Sequence, residues 1–438
     1  MKRSKRLFRL AAALVVLALA AASPIALAGG FAINEKGSKA TAMGGAFAAF
    51  ADDPSAMYYN PAGMGGNDKL TVMVGVTLIP YFSKFEGASP YPGDGYNVEM
   101  KRQIFFPPNL YVAFPVAKNV NVSFGTWAPF GLSTAWEDPD NFRGRFLSQR
   151  VDLKTFAVGL QVSAKLTDWL SLGAGPELRL GDVKLQRNAS LFNPFTNRFV
   201  DAAHVDIKSD GLASKVAWAA GIQIRPVEHV TIGASYHSAV DQDYSGDAYF
   251  YQISTGNPQL DAIFASRVPV NTAVPTHVTV QYPSLTQFGV AVDVCPKLQL
   301  EVDGDYTTWD VFDQTVIKFD AVNGKQVPTS TLYHGYENTW TVRAGLAYKP
   351  KENMWIGVGW LYDQTPQPDE DVSPLLPDAN RTGYSIGAGI KFGNTSLEFG
   401  NLFLFFHDRP TNGHNVDNYN GTYKTFADLI SLNLRHSF

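Results

Sequence analysis

The chain has 438 residues and a formal net charge of −4, with 45% hydrophobic and 17% charged residues. Five of its 36 basic residues precede residue 10, so the rest of the chain carries an excess of nine acidic residues. This balance argues against a nucleic-acid-binding protein, which needs a basic face. The 13% aromatic content, with 38 glycines and 26 prolines, argues against a long coiled coil, and the hydrophobic content argues against a largely disordered chain.

Residues 1–28 have the pattern of an export signal. A basic start is followed by an apolar run from Leu10 to Ala22, and Ala26-Leu27-Ala28 matches a small-x-small cleavage site. A membrane-anchor helix is the alternative, but the run is shorter than the ~18 apolar residues that a span needs, and Pro24 follows it. The signal is therefore expected to be removed, and the mature chain is predicted to begin at Gly29, outside the cytosol.

Apolar and polar residues alternate with a period of two through much of the remaining chain. Examples lie near 216–225, 298–306, 340–349 and 384–392. Such alternation is typical of strands with one apolar and one polar face. No later stretch approaches ~18 consecutive apolar residues, so no helical membrane span is predicted there.

The connections between these segments alternate in length. Short turns are predicted near Ala117–Asn119, Leu166–Asp168, Arg225–His229, Cys295–Lys297, Pro350–Asn353 and Gly393–Thr395. Long irregular stretches lie near 85–103, 131–149, 188–202, 247–274, 320–336, 366–380 and 407–422. These thirteen connections imply fourteen strands, and the short–long alternation is typical of a membrane barrel with periplasmic turns and external loops.

A soluble β-sandwich or propeller would also alternate, with its apolar face against a second sheet. Here aromatic residues stand on the apolar face close to the turns, as in the aromatic girdles of membrane barrels: Tyr348, Trp355, Trp169 and Trp218. The terminal Phe438 resembles the assembly signal of bacterial outer-membrane barrels. We therefore predict an all-β fold, a 14-stranded antiparallel transmembrane β-barrel over residues 67–438, in a Gram-negative outer membrane.

Residues 29–66 do not fit a simple pore. They are rich in Gly, Ala and short polar residues, with Ala46-Phe47-Ala48-Ala49-Phe50 grouped together. Such a segment could be a flexible periplasmic tail, or it could fold as small helices inside the lumen. A fourteen-stranded lumen is wide enough to leak unless something fills it.

The stretch 29–63 reads GGFAINEKGSKATAMGGAFAAFADDPSAMYYNPAG. It resembles the plug segment of the FadL/TodX family of outer-membrane transporters for long-chain fatty acids and other hydrophobic compounds. The matching elements are Gly30-Phe31, Asn34-Glu35, Ala51-Asp52-Asp53 and Asn60-Pro61-Ala62, then Tyr306–Phe312, and later Asp363–Pro366 with Leu376-Pro377-Asp378 and Arg381. The resemblance covers essentially the whole mature chain.

The resemblance implies a fourteen-stranded barrel with an N-terminal plug over 29–66. It also implies passive import with no cofactor, ATP or energy-coupling partner. A hydrophobic ligand would be caught by external loops, pass to an inner pocket and leave sideways through the wall into the membrane lipid. Family members open that wall at a kink in the third strand, here about 119–131. Gly125 and Pro129 lie in this strand, and the kink is expected at Gly125, since Gly weakens a strand.

Several positions in the matching motifs are candidate site residues. Phe31 resembles the family position that contacts ligand, with packing inside the plug as the alternative. Asn34, Asn60, Pro61 and Ala62 are interpreted as plug and gate elements, and an ordinary turn is the alternative for 60–62. Pro377, Asp378 and Arg381 form a structural motif, in which Asp378 and Arg381 are expected to brace a loop as a salt bridge.

The external stretch 131–149 combines apolar and basic residues. Its candidates for ligand contact are Trp136, Phe142, Phe146 and Arg143, with Trp127 and Phe130 just before it. Apolar side chains on an exposed loop indicate an interaction surface, and guanidinium groups beside them suit a carboxylate. The alternative is a self-packed loop whose arginines pair with Glu137, Asp138 and Asp140. Loop 247–274 offers a second apolar wall, with Leu260, Ile263, Phe264 and Val268 at helical spacing.

Inside the barrel, Arg179, Lys184, Arg187 and Arg343 are further candidate partners for a carboxylate head group. Lys184 points into the lumen only if a bulge near Gly181-Asp182 reverses the alternation of inward and outward side chains, and such a bulge is predicted there. The alternative for each basic residue is an ion pair with a lumen carboxylate: Glu301, Asp303 or Asp305.

No catalytic or metal-binding motif is present: the sequence has no HExxH, CxxC or GxSxG, and Cys295 is its single cysteine. No enzymatic activity is therefore expected, and the resemblance implies a transport protein that contacts hydrophobic small molecules and outer-membrane lipid; we expect it to act as a monomer. Burying a chain of ~16 carbons at ~0.8 kcal/mol per CH₂ gives roughly 13 kcal/mol, so the apolar tail should dominate affinity. The alternatives are an importer of aromatic or alkane hydrocarbons, a non-specific porin and an adhesin.

Overall fold

Residues 29–438 are described by the computed structural model, so the predicted export signal lies outside the described residues. Fourteen long strands form one sheet. They are β1 (Thr71–Gly87), β2 (Pro108–Ala117), β3 (Val120–Trp127), β4 (Arg150–Lys165), β5 (Leu170–Asn193), β6 (Ala213–Val227), β7 (Val230–His237), β8 (Leu285–Cys295), β9 (Leu298–Thr307), β10 (Thr339–Lys351), β11 (Met354–Asp363), β12 (Arg381–Phe392), β13 (Thr395–Phe406) and β14 (Gly421–Ser437).

Every strand pairs antiparallel with its neighbours along the chain. β14 then pairs with β1, from Thr71↔Ser437 to Gly87↔Gly421, and closes the sheet. The predicted fourteen-stranded antiparallel barrel is confirmed. Six short turns join strands at one end and seven longer connections join them at the other, as the alternation of lengths predicts.

Nine further strands lie in the long connections and extend the wall at that end. They are Asn97–Glu99, Gln103–Phe105, Gly131–Ala135, Arg198–Ser209, Val240–Gln252, Ala273–Tyr282, Gln314–Phe319, Ser330–Tyr333 and Arg409–Pro410. The helices are α1 (Ser38–Ala42), α2 (Ala56–Tyr59) and α3 (Pro258–Arg267), with 3₁₀ turns at Pro61–Gly66, Trp309–Val311 and Asp369–Asp371.

α3 forms where apolar residues recur at helical spacing in the external stretch 247–274. The Asn257 side chain caps its first turn by accepting the N–H groups of Gln259 and Leu260, and Pro258 occupies the first helical position. Leu260 and Phe264 are buried against the external end of the barrel. This loop therefore supplies an ordered apolar wall.

Trp169, Trp218 and Tyr348 are exposed on the outer face, where the aromatic girdle is predicted. Trp355 is buried instead, so its assignment to the girdle is wrong. Trp355 and Gly357 point to the same side of β11, and Gly357 lies against α1 inside the barrel. Among residues 29–438, no helix is long and apolar enough to cross a membrane.

Candidate functional site

Residues 29–66, here called the lumen segment, pack against the inner face of the wall and are almost entirely buried. Their helices are too short to be stable alone. Wall side chains bind their carbonyls instead: Ser385 donates to Ala42, Gln223 to Ala49, Gln161 to Met57, Ser163 to Pro61 and Asn121 to Met64. Backbone groups that would otherwise be buried without partners are thus tied to the barrel.

Two buried carboxylates of β9 bind the middle of the lumen segment. Asp303 accepts the N–H groups of Phe47 at 2.7 Å and Ala48 at 2.9 Å. Glu301 accepts those of Ala49 and Phe50, at 2.5 and 3.1 Å. The third lumen carboxylate, Asp305, pairs with a basic side chain as predicted, because it binds Arg343 at 2.7 Å.

Asn60 joins two parts of the lumen segment to the wall. Its Nδ2 donates to the carbonyls of Ala48 at 2.7 Å and Ile222 at 2.9 Å, while its Oδ1 accepts the Ala62 N–H at 3.1 Å. Pro61 opens the following 3₁₀ turn, where a missing N–H costs nothing. Residues 60–62 are thus a buried joint, and their role as a gate stays a prediction.

The wall comes so close to the lumen segment that only glycine fits at several wall positions. A Cβ on Gly233 would lie 2.0 Å from the Ala48 carbonyl oxygen, and one on Gly400 would lie 2.3 Å from the Ser38 carbonyl oxygen. Real Cβ atoms do not make such contacts. These glycines therefore allow the backbone of the lumen segment to lie directly on the wall.

The barrel wall has a slit between β2 and β3. Their ladder stops at Leu110↔Thr126, and the next backbone contact between the two edges is the Lys101 N–H to the Ala135 carbonyl, at 2.8 Å. Within the described chain, residues 102–109 and 127–134 share no backbone hydrogen bond, although each edge stays paired with its other neighbour. Pro107-Pro108 lack N–H groups and cannot extend the ladder.

The kink of the third strand lies at residues 128–130, at the edge of the slit. The predicted kink at Gly125 is wrong, because this residue has ladder partners on both β2 and β4. The ladder with β4 breaks after Trp127 and resumes at Gly131, with one more residue on this strand than on β4. This is a β-bulge that contains Pro129.

The start of the lumen segment pairs with this kink. The Gly131 N–H donates to the Phe31 carbonyl and the Ile33 N–H donates to the Pro129 carbonyl, both at 3.0 Å. The Phe31 ring lies in an aromatic cluster with Phe130, Tyr282, Trp309 and Phe312, at centroid distances of 4.9–6.2 Å. Residues 31–33 thus occupy part of the strand edge that β2 leaves free.

A cavity of about 450 Å³ adjoins the slit. Its lining is mostly apolar and comes from the lumen segment, both edges of the slit and the opposite wall: Phe31, Ile33, Ile104–Pro108, Phe130–Ser133, Leu361, Leu404 and Leu429. Ile104 and Phe106 are also more than half exposed on the barrel surface. The cavity therefore reaches from the lumen to the outer face, and its size suits a small hydrophobic ligand.

One end of the cavity is polar. Asp378 accepts the Gly30 N–H at 3.1 Å and the Thr365 hydroxyl at 2.8 Å, and Pro377 lines the cavity beside it. Arg381 pairs with Asp363 at 2.6 Å, because these two residues face each other on β12 and β11. The predicted salt bridge between Asp378 and Arg381 is therefore wrong.

A second cavity, of about 30 Å³, lies on the other side of Phe130. Asn34, Arg179 and His237 line it, and it has room for one or two water molecules. Arg179 donates to Glu177 at 2.7 Å, and His237 Nδ1 lies 3.0 Å from the same carboxylate. Arg179 is thus already paired, and a role in binding a carboxylate head group stays a prediction.

A family model described as outer membrane protein transport protein (OMPP1/FadL/TodX) matches residues 19–438. The chain belongs to this family. It is 25% identical to a long-chain fatty acid transport protein of Escherichia coli O6:H1, over 99% of each chain. It is also 25% identical to outer membrane protein P1 of Haemophilus influenzae, over 76% of this chain and 75% of that protein.

Solved structures of the FadL/TodX family share the fold. A Pseudomonas aeruginosa FadL homologue matches with a TM-score of 0.81 at 21% identity, over 94% of this chain and all of that one. The Pseudomonas putida toluene transporter TodX matches with a TM-score of 0.73 at 15% identity, over 92% and 98% of the two chains. The FadL/TodX family is one of outer-membrane transport proteins, and this chain is therefore an outer-membrane transport barrel.

External loop 131–149 of this family member folds in on itself. Trp136 and Phe142 stack at 4.9 Å and are buried, so the prediction that they form an exposed surface is wrong. They belong to a cluster that includes Phe85 of β1, Tyr423 of β14 and Tyr419 of the connection before β14. Phe146 is half-buried.

The arginines of this loop hold other loops in place. Arg143 is exposed and lies over the Tyr96 ring at 4.8 Å. Arg145 pairs with Asp201 at 2.8 Å. Neither arginine pairs with an acidic residue of 137–140 among the described residues, so the predicted pairing within the loop is wrong.

Lys184 points away from the lumen. The ladder between β4 and β5 keeps one register from residue 177 to residue 186, so the predicted phase slip near Gly181 is absent. Lys184 therefore lies on the opposite face from Arg179, 3.7 Å from Asp206. Arg187 is half-buried and donates to the Ser330 hydroxyl at 2.8 Å.

Trp127 is buried and stacks against Tyr111 at 6.0 Å, but it does not line the large cavity.

Three features of the site were missed from the sequence. These are the proline edge Pro107-Pro108, the ion-pairing role of Asp363 and the buried Lys36. Two adjacent prolines before a strand are a usable signal for a broken ladder. Within residues 29–438, no cluster of His, Cys, Asp and Glu is placed to hold a metal ion.

His334 is buried in the external connection between β9 and β10. Its ring stacks on Phe312 at 4.1 Å and shares a hydrogen bond with the Thr315 hydroxyl at 2.9 Å. Burial lowers the pKa of His334 from 6.5 to about 4. The opened connection binds the proton more readily, so the free energy that keeps it closed falls by roughly 3 kcal/mol as the pH drops from 6.5 towards 4.

We therefore expect hydrogen exchange in residues 308–338, corrected for its intrinsic pH dependence, to increase from pH 7 to pH 4.5. The matched variant His334→Leu should lose this increase, since it has no group to protonate. The same increase in the variant would show that other groups control the connection.

Proposed function

We propose that this barrel carries hydrophobic molecules passively across the outer membrane. Cargo is captured at the external loops, binds in the large cavity and leaves through the slit into the surrounding lipid. The observation that carries the proposal is the continuity of the apolar cavity with the slit. A molecule in this cavity has an apolar path to the bilayer and no need to cross a polar lumen.

Long-chain fatty acids are the cargo that we propose first. The named relative from Escherichia coli transports them, and this chain matches it along its whole length. Burying a ~16-carbon chain gives roughly 13 kcal/mol, whereas an exposed charge pair contributes about 0–1 kcal/mol. The apolar walls around Phe31 and Leu404 should therefore supply most of the affinity.

Aromatic hydrocarbons are a second candidate cargo. Phe31 and Phe130 line the large cavity together with Phe105 and Phe406, and these rings offer edges and faces to a small aromatic molecule. Such a cargo needs no head-group partner, and both Arg381 and Arg343 are already paired with carboxylates.

We further propose that the lumen segment acts as a plug. Side chains from β9, β6, β4 and β12 bind its backbone, and wall glycines let it lie against the barrel. Polar solutes then have no open route through the lumen. This separates the proposal from a non-specific porin, which needs an open pore, and from an adhesin, which needs no apolar cavity.

The proposal is tested by binding a radiolabelled long-chain fatty acid to the purified barrel in detergent. We expect saturable binding that the methyl ester of the same chain displaces at a similar concentration, because the cavity arginines are already paired. Displacement by toluene at low concentration would favour the hydrocarbon cargo. Absence of binding for all three would contradict the proposed function and favour a porin or an adhesin.

A further inference from the structure

Lys36 is among the largest fully buried side chains of the chain, with 2% of its surface exposed. Its Nζ donates to two carbonyls, those of Ile33 and Ala128, and lies 5.0 Å from the centre of the Tyr58 ring. Among residues 29–438, no carboxylate lies within ion-pairing distance of this ammonium. Its partners are therefore the lumen segment on one side and the kink of the third strand on the other.

The backbone of Lys36 is fixed where its side chain begins. Its N–H donates to the Tyr59 hydroxyl at 3.2 Å, and its carbonyl accepts the Tyr111 hydroxyl at 3.0 Å. From this residue onwards, wall side chains bind the lumen segment repeatedly. Residues 30–35, by contrast, line the large cavity, and residues 31–33 lie on the edge of the slit.

We propose that Lys36 is a positioning residue whose ammonium locks residues 31–33 onto the kink and so covers the slit from the inside. This inference rests on the proposed function. Ile33 is bound to Pro129 through its N–H and to Lys36 through its carbonyl, while Ala128 is bound to the same ammonium. Movement of residues 31–33 away from the kink leaves a buried amine with one of its two hydrogen-bond partners lost, which is costly.

Cargo in the cavity touches the same residues that the lock holds. Phe31, Ile33, Ala128 and Phe130 all line the cavity, so a ligand that displaces residues 31–33 works against the two Lys36 hydrogen bonds. Lys36 therefore sets how readily the inner side of the slit is uncovered in the absence of cargo.

The test measures how fast a cysteine at position 32 reacts with a maleimide in the detergent-folded barrel. Ala32→Cys is made in a Cys295→Ser background, with either Lys36 or Lys36→Met. We expect Lys36→Met to raise the labelling rate about tenfold without cargo, because the apolar side chain can no longer bind the two carbonyls. A long-chain fatty acid should raise the rate in the Lys36 protein and add little in the variant.

Lys39→Met is the matched control, since Lys39 lies in the same segment but pairs with Asp52 at 2.5 Å, away from the kink. It should leave labelling at position 32 unchanged, and Lys36→Met should leave a cysteine at Ala46 unreactive. Heat-modifiability on gels confirms that each barrel is folded. An unchanged rate in Lys36→Met, or an equal rise in Lys39→Met, would overturn the inference.

Fatty acid uptake by cells that express the unaltered protein, which retains Lys36, distinguishes failure of this inference from failure of the proposed function. If cells that express it take up fatty acid but Lys36→Met does not change labelling, the lock is wrong and the transport route stands. If these cells take up no hydrophobic cargo, the proposed function fails whatever the labelling shows.

Discussion

Closing the slit with a covalent bridge should reduce uptake of hydrophobic cargo at least tenfold while leaving the barrel folded. The Ser133 hydroxyl donates to the Gln103 side-chain oxygen at 2.9 Å across the slit, so the two side chains already meet there. In a Cys295→Ser background, Ser133→Cys and Gln103→Cys can be joined by a short bis-methanethiosulfonate crosslinker, which forms one disulfide with each cysteine. Uptake of radiolabelled fatty acid by cells should fall on crosslinking and return after reduction.

The control for this experiment is a crosslink where the wall is already closed. Val112 and Phe124 are ladder partners on β2 and β3, below the slit and on the outer face. Joining cysteines at these positions should leave uptake unchanged, because the two strands are hydrogen-bonded there. Normal uptake through a barrel whose slit is fully crosslinked would remove lateral exit from the account.

Forcing the lumen segment off the wall should convert the closed barrel into a pore. Gly233→Leu and Gly400→Leu together place side chains where Cβ atoms alone would lie 2.0 and 2.3 Å from backbone oxygens of the lumen segment. These oxygens belong to backbone and not to a flexible side chain, so the segment itself must move. We expect single-channel conductance in planar bilayers to rise at least tenfold over that of the unaltered barrel.

Gly304→Leu is the matched control for the glycine variant. A Cβ on Gly304 would meet only the Trp340 ring, at 3.8 Å, and would not touch the lumen segment. This variant should stay closed. A closed double variant that still folds would show that the lumen segment does not depend on these contacts, and an equally leaky Gly304→Leu would show that the leak reflects general damage to the wall.

The strands and turns of this barrel could be predicted from the sequence because their signals are local. Alternation near 340–349 and the short turns at positions such as Gly393–Thr395 depend on neighbouring residues only. Helical spacing in 247–274 similarly indicated α3. The burial of Trp355 could not be predicted in this way, because it depends on which face of β11 packs against the lumen segment.

The slit could not be placed from the sequence, since it depends on which residues fail to pair across two distant strand edges. Gly125 is a weak strand residue in isolation, yet partners on both sides keep it in the ladder. The break lies a few residues further on, where continuing the register of Leu110↔Thr126 would place Pro129 opposite Pro107. The prolines of the two strand edges are each a weak signal in the sequence, and only the folded barrel brings these edges together.

Individual site residues also differ in whether the sequence alone could predict their positions and partners. Phe31 lines the large cavity, where its resemblance to a ligand-contacting position placed it, although binding there stays a prediction. Arg381 pairs with Asp363 and not with Asp378 because strand register decides which carboxylate faces it. Lys36 gave no sequence signal, since its buried partners are backbone carbonyls.

The central claim is that hydrophobic cargo passes from the large cavity through the slit. It is tested most directly by a photoactivatable long-chain fatty acid, irradiated during uptake and mapped by mass spectrometry in the Ser133→Cys, Gln103→Cys barrel. With the slit open, we expect crosslinks inside the cavity at Phe31 and Leu404 and also on the outer edge at Ile104 and Phe106. With the slit bridged, the inner crosslinks should persist and the outer ones should disappear. Crosslinks on the periplasmic side of the lumen segment, unaffected by the bridge, would contradict the account.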